Sequence, residues 1–280
     1  MAGVSDGMRA LPAARLRPYL APYEGYRLAG FEPGTHLGLP APFLTVVVAL
    51  DAPLEIASAA HPGQAPGHWD ALASGIATTP VTIAHDGRQH GVQLSLTPAG
   101  ARALLGVPTA ALGAWIVGLG ELFGADAAEI GDRIAATESW ADRFAILDEV
   151  LTRRLRDDPI DPHLTQAWRL LVAGDARVGD VAREVGWSRR HLVGRFTAEF
   201  GVTPKDAARV ARFHRSHQLM RARPDVSLAD VAARCGYYDQ AHLARDWRDL
   251  AGKPPSRWRA EELFTFVQDD GQAESALSEV

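Results

Sequence analysis

Cysteine is almost absent: Cys235 stands alone. A single thiol excludes an intrachain disulfide framework and a cysteine-rich zinc site, and it points to a reducing compartment. Cys235 itself reads as a small core residue. Long apolar runs are missing as well. The longest, Phe43 to Leu50, is interrupted by Thr45 and is far too short to span a bilayer, and Met1 to Arg17 has no basic segment leading into a continuous apolar stretch. No membrane partner is expected, and the location expected is cytoplasmic. Lysine is scarce, with only Lys205 and Lys253. Cationic contacts therefore fall to arginine, whose planar fork suits phosphate oxygens and guanine edges. Phosphate loops, nucleophile elbows and paired-carboxylate motifs are lacking too, so the chain is not read as an enzyme and no cofactor is expected.

What is present is ordinary globular material: 280 residues, 47% hydrophobic and 22% charged, enough for two domains. The net charge of −5 hides an asymmetry. From His163 to Ala260 there are 18 basic against 10 acidic residues, whereas the remainder holds 11 against 24. A basic segment beside an acidic one is an electrostatic footprint for nucleic acid, although a solvated charged face produces the same count.

The expected fold class is α+β: a β-rich N-terminal domain followed by helices, then an all-α C-terminal domain. Residues 1–18, rich in Ala, Pro and Arg without a sustained period, read as a loose arm. Residues 19–158 read as a β-rich sensor or dimerisation domain with a helical end. Its strand texture includes Phe43 to Val48, Leu54 to Ala57, Val81 to Ala84 and His90 to Leu96, with a loop at 62–67. At Thr97-Pro98 a cap residue precedes a proline, and Ala101, Leu104 and Leu105 supply an apolar stripe, the signature of a helix start. Ser139 to Leu155 reads as an amphipathic helix capped by the serine. The acidic, proline-containing run Arg156 to Pro162 marks a boundary, after which 159–262 is expected to be helical, opening with Asp161 as cap and Pro162 as first helical residue. Residues 263–280 form an acidic tail.

Within 178–258 the sequence repeats itself. Val178, Val181, Val185 and Gly186 return 50 positions later as Leu228, Val231, Cys235 and Gly236; Leu192, Phe196, Gly201 and Pro204 return 51 positions later as Leu243, Trp247, Gly252 and Pro255. The step implies one extra turn residue in the second copy. Each copy reads as a short helix, a glycine turn and a second helix, the pattern of a helix-turn-helix. Ser188 and Asp239 are the expected caps of the second helices. Between the copies, Lys205 to Met220 reads as a linking helix that would hold the two units about one duplex turn, roughly 34 Å, apart.

The outer face of each second helix is what could enter a major groove and read base edges. The first presents Arg189, Arg190, Val193, Gly194 and Thr197; the second presents Gln240, Ala241, His242, Ala244 and Arg245. Arg190 and Arg245 are the strongest base-reading candidates, because a bidentate arginine on guanine is the commonest specific contact. An exposed or phosphate-paired arginine is the plainer alternative for both. Gln240 suits adenine, and His242 suits a base or a phosphate. Arg189, Arg195, Arg215 and Arg248 fit backbone contacts, which set register and affinity.

Residues 163–260 resemble the DNA-binding domain of AraC-type transcriptional regulators. The likeness rests on the second copy and the residues just beyond it: Asp230 to Leu243, then Arg245, Trp247, Gly252, Pro255 and Trp258-Arg259. The first copy fits less tightly, since Val193 and Gly194 stand where such regulators often carry long polar readers; positioning rather than reading is the role this suggests. The resemblance implies double-stranded DNA as partner and a cupin-like N-terminal domain that takes a small effector or mediates self-association as a homodimer. A ligand-binding or interaction protein with weakened DNA readout is the alternative. His36, His61, His68, His85 and His90 raise the question of a metal, but no His-x-His or Glu-x-x-His spacing supports one, and no metal is expected. Trp69, Trp115 and Trp140 could line a ligand pocket, with packing the more ordinary role.

Overall fold

A computed structural model describes residues 3–174 and 176–261; the acidic tail lies outside them. The chain runs through β1 (Val4–Ala10), β2 (Tyr23–Ala29), β3 (Gly34–Gly38), β4 (Leu44–Ala49), β5 (Leu54–Ser58), β6 (Gly67–Trp69), β7 (Ala71–Ser74), β8 (Val81–His85), β9 (Gln89–Leu96) and β10 (Ile116–Gly118). These form a six-stranded sheet in the order β1-β2-β9-β4-β7-β10 and a four-stranded sheet in the order β3-β8-β5-β6, with antiparallel neighbours throughout. Before β10 lie α1 (Pro98–Gly100) and a π turn at Ala101–Leu105; after it come α2 (Leu119–Phe123), α3 (Ala125–Ala135) and α4 (Trp140–Arg154).

The central strand β4 is covered on both faces, which is why it is apolar apart from Thr45. Val46 and Val48 pack with Leu94, Leu104, Phe123, Ile130 and Leu147 on the helical side. Val47 faces the other sheet with Tyr26, Leu54, Ile56, Leu72 and Ile116. Thr97 caps α1 as its spacing implied, accepting from the Gly100 N–H at 3.1 Å. Regular α-geometry stops there, but the stripe Ala101, Leu104 and Leu105 is buried as expected.

The loose arm is corrected. Residues 4–10 form β1, paired with β2 through seven register positions. An edge strand leaves both its faces largely open, so its side chains carry no alternation to read. Beyond it the chain is fastened from inside: Leu16 is fully buried, and the Ala13 N–H donates to Asp148 of α4 at 2.8 Å. β2 and β3, which precede the first expected strand, complete the two sheets.

The proline-containing boundary is irregular backbone, yet it is pinned. The Arg156 N–H donates to the Ala103 carbonyl at 2.9 Å. Beyond it stand α5 (Pro162–Ala173), α6 (Val178–Glu184), α7 (Arg189–Phe200), α8 (Pro204–Ala222), α9 (Leu228–Arg234), α10 (Gln240–Ala251) and α11 (Pro255–Glu261). Asp161 caps α5 as expected, accepting from the His163 N–H at 2.8 Å. Two cores result. One gathers Leu164, Leu171, Val181, Leu192, Phe196 and Phe200; the other gathers Phe213, Val231, Cys235, Leu243, Trp247 and Trp258. The helix α8 supplies Ala207 to the first and Val210, Phe213 and Met220 to the second. Among the described residues no helix is long and apolar enough to cross a membrane.

Candidate nucleic-acid interface

The helices α6 and α7 form one helix-turn-helix, and α9 and α10 form the other. Each turn pivots on a glycine in left-handed backbone, Gly186 at φ 73° and Gly236 at φ 76°, a conformation that side chains resist. Ser188 caps α7 through its hydroxyl, accepting from the His191 N–H at 3.2 Å, and Asp239 caps α10, accepting from the His242 N–H at 2.7 Å. Inner residues fill the cores, so the opposite face of each second helix is turned outward.

On α7, Arg189, Arg190, Gly194 and Arg195 are exposed and Val193 and Thr197 half-buried. Arg195 lies 3.5 Å from Asp161. A Cβ added at Gly194 would meet no atom within 4 Å, so this helix face is shallow and open. On α10, Gln240, Ala241, Arg245 and Arg248 are exposed, with His242 and Ala244 half-buried. Arg245 Nε bonds within its own helix, to the Ala241 carbonyl at 3.4 Å. Arg215 is placed differently from the other arginines: its Nη1 donates to the Val172 carbonyl at 2.5 Å, near the end of α5. That contact joins α8 to α5, and no feature of its sequence neighbourhood signals it.

The second helices of the two units are anchored by side-chain contacts. Asp246, buried on the inner side of α10, accepts from Arg209 Nε at 2.7 Å and lies 3.4 Å from Arg212, both on α8. Arg209 also pairs with Asp249. Burial opposes its charge, but the bonds and attraction of Asp246 and Asp249 hold the guanidinium above its ordinary pKa. Trp247 is fully buried, and its indole N–H donates to the Ser216 hydroxyl at 2.9 Å. The first unit is docked on the N-terminal domain by its far end: Arg102 meets Glu199 of α7, and a Cβ at Gly201 would lie 3.0 Å from the Ala110 Cα.

A cavity of about 220 Å3 lies between the two sheets. Val47, Leu54, Ile56, Ile83 and Ile116 make its apolar wall, and His214, His217, Gln218 and Arg221 of α8 close one side. Trp69, Trp115 and Trp140 do not line it. Trp115 stacks on His61 with ring centres 3.9 Å apart, and Trp140 packs edge-on to His90. The α8 residues escaped the sequence reading, although His214, Gln218 and Arg221 recur at four and three along one helix face. The five N-terminal histidines are dispersed: His36 packs near His85, His68 lies by Glu55, and His90 meets Asp51 at 2.9 Å. Among the described residues no group of three or more His, Cys, Asp or Glu side chains is arranged to hold a metal.

Residues 181–261 match the family model of a helix-turn-helix domain. Over 85 residues the chain is 28% identical to the Msm operon regulatory protein of Streptococcus mutans, and over 71 residues it is 30% identical to the uncharacterized HTH-type transcriptional regulator YbfI of Bacillus subtilis. These matches span 30% and 25% of the relatives' own lengths. The fold is similar to that of ToxT from Vibrio cholerae: its unsaturated-fatty-acid-bound wild-type structure superposes with a TM-score of 0.51 at 10% identity, covering 89% of this chain and 96% of that one.

Proposed function

We propose that this chain, whose residues 181–261 form a helix-turn-helix domain of the AraC type, is a sequence-specific regulator of transcription that lays α7 and α10 in successive major grooves of double-stranded DNA. The observation that carries the reading is the pair of matched units on one rigid helix, each with its reading face turned to solvent. Arg190, Gln240, His242 and Arg245 are the base readers in this scheme, and Arg189, Arg195 and Arg248 the phosphate contacts. Val193, Gly194 and Ala241 form the close-fitting floor between them. Arg215 acts by joining α8 to α5, with phosphate within reach of its remaining donors.

The N-terminal cavity is the proposed effector site. Its apolar wall and its polar closing side suit a molecule with an apolar body and a polar head, and a ToxT structure of the same fold has an unsaturated fatty acid bound. The closing side belongs to α8, the helix that pairs with Asp246 and packs into both C-terminal cores. An occupant of the cavity therefore touches the element that sets the spacing of the two units.

The test is a titration of purified full-length protein against the duplex upstream of its own gene and against a scrambled duplex, at two salt concentrations. Preference for the upstream duplex that survives the higher salt is the expected result. Absence of binding to either duplex at low salt would move the function to ligand binding or protein interaction.

A further inference from the structure

The two units differ by one residue in their turns. After the glycine, Trp187 or Tyr237 returns its N–H to the carbonyl of Ala182 or Ala232, at 2.8 and 2.9 Å. In the first unit Ser188 follows at once as cap of α7. In the second, Tyr238 intervenes before Asp239 caps α10. The inserted residue is outside left-handed backbone, so the turn does not ask for a particular side chain. Tyr238 is 93% exposed, far above the 42% of Trp115, and a side chain this exposed contributes almost no burial to the fold. Its place is nonetheless defined: its N–H reaches His242 Nδ1 at 3.4 Å, and the side chain borders an open concavity along the flank of α10 shared with His242 and Arg245, whose other walls, Asp246 and Asp249, are paired with arginines of α8.

With α10 in a major groove, a residue just before its first turn stands at the groove edge, where the duplex backbone passes. A phenol there is a neutral donor, and tyrosine is among the side chains that hydrogen-bond phosphate. We propose that Tyr238 is a positioning residue: its hydroxyl donates to a phosphate oxygen at the edge of the groove entered by α10, and its ring packs on the adjoining sugar. The second unit thereby gains an anchor that the first lacks. The inference rests on the DNA-binding reading above.

The experiment measures Tyr238→Phe and Tyr238→Ala on two duplexes of about 30 base pairs, roughly three helical turns, one from upstream of the gene and one of mixed sequence, across a salt series. Loss of one neutral hydrogen bond is expected to weaken Tyr238→Phe by about two- to tenfold on both duplexes, and Tyr238→Ala further. The slope of log K against log salt should stay at the wild-type value, because no charge is removed. The melting temperature should not move either. Wild-type affinity in both variants, a changed slope, or a loss confined to the upstream duplex would overturn the phosphate role. Failure of the wild-type protein to bind either duplex would remove the regulator reading and this inference with it.

Discussion

Arg102, on the π turn of the N-terminal domain, grips Glu199 of α7 through two parallel bonds, Nε to Oε1 at 2.7 Å and Nη2 to Oε2 at 2.8 Å. Its remaining Nη1 reaches both oxygens of Asp158 in the interdomain segment, at 3.1 and 3.0 Å. Glu199 is 8% exposed. One guanidinium thus ties together the N-terminal domain, the interdomain segment and the first helix-turn-helix unit. Forked arginine–carboxylate pairing fixes orientation as well as distance.

Removing that guanidinium strands a mostly buried carboxylate. Arg102→Ala should lower stability by about 2 kcal/mol, below the cost for a fully buried pair because Arg102 is partly solvated. Urea unfolding measures it. The double variant with Glu199→Ala should lose less than the two single losses combined; strict additivity would show that the pair is uncoupled.

Arg245→Ala and Arg248→Ala separate reading from holding. The first should cost about 1–3 kcal/mol on the upstream duplex and relax preference at one base pair. The second should weaken all duplexes alike and reduce the salt slope by about 1. Equal losses on upstream and scrambled DNA for Arg245→Ala would remove its base-reading role.

Gly194 lies within α7 with open space where a Cβ would sit. Gly194→Ala should therefore stabilise the chain by about 0.5–1 kcal/mol through helix propensity. A fall in the melting temperature of the free protein would contradict the open face.

Trp247 packs against Phe213 and Trp258, with ring centres 4.8 and 5.3 Å away. Trp247→Ala should cost about 3–5 kcal/mol by leaving a cavity, while Ser216 keeps its bond to the Phe213 carbonyl. An unchanged urea midpoint would exclude it from the core.

Acid should destabilise the protein through two histidines. Burial, aided by His85, pushes His36 down to about 3; burial, aided by His214 and Arg221, holds His217 well below 6.5. Both are neutral in the fold, whereas the unfolded chain binds their protons near 6.5. Their stabilisation is complete above that pH and is lost as pH falls from 6.5 towards the folded values, by about 1.4 kcal/mol per pH unit for each histidine. Urea midpoints from pH 7 to 5 measure the slope. His217→Asn should flatten it by one histidine's share, and an unaltered slope would place the protonation elsewhere.

The C-terminal half was legible because its signals are local. Cap residues, turn glycines and an inner face at i and i+4 all act within one or two helical turns, and the repeat showed each of them twice. Asp161, Ser188 and Asp239 cap the helices expected of them. The N-terminal half was less legible because β-pairing is made with distant residues. β1 is a strand through its bonds to β2, with no pattern in its own side chains. The cavity between the sheets was invisible for the same reason, since its walls come from both sheets and from a helix far beyond them along the chain.

By itself the sequence determined the two helix-turn-helix units, their caps and the arginines they present, since helix propensity, turn geometry and side-chain period are properties of neighbouring residues. Tertiary structure alone decided which charges stay open to solvent and which are committed within the protein. Arg102 and Arg209 carry no signal in the sequence and Arg215 reads there as a phosphate contact; only folding brings Glu199, Asp246 and the Val172 carbonyl within their reach.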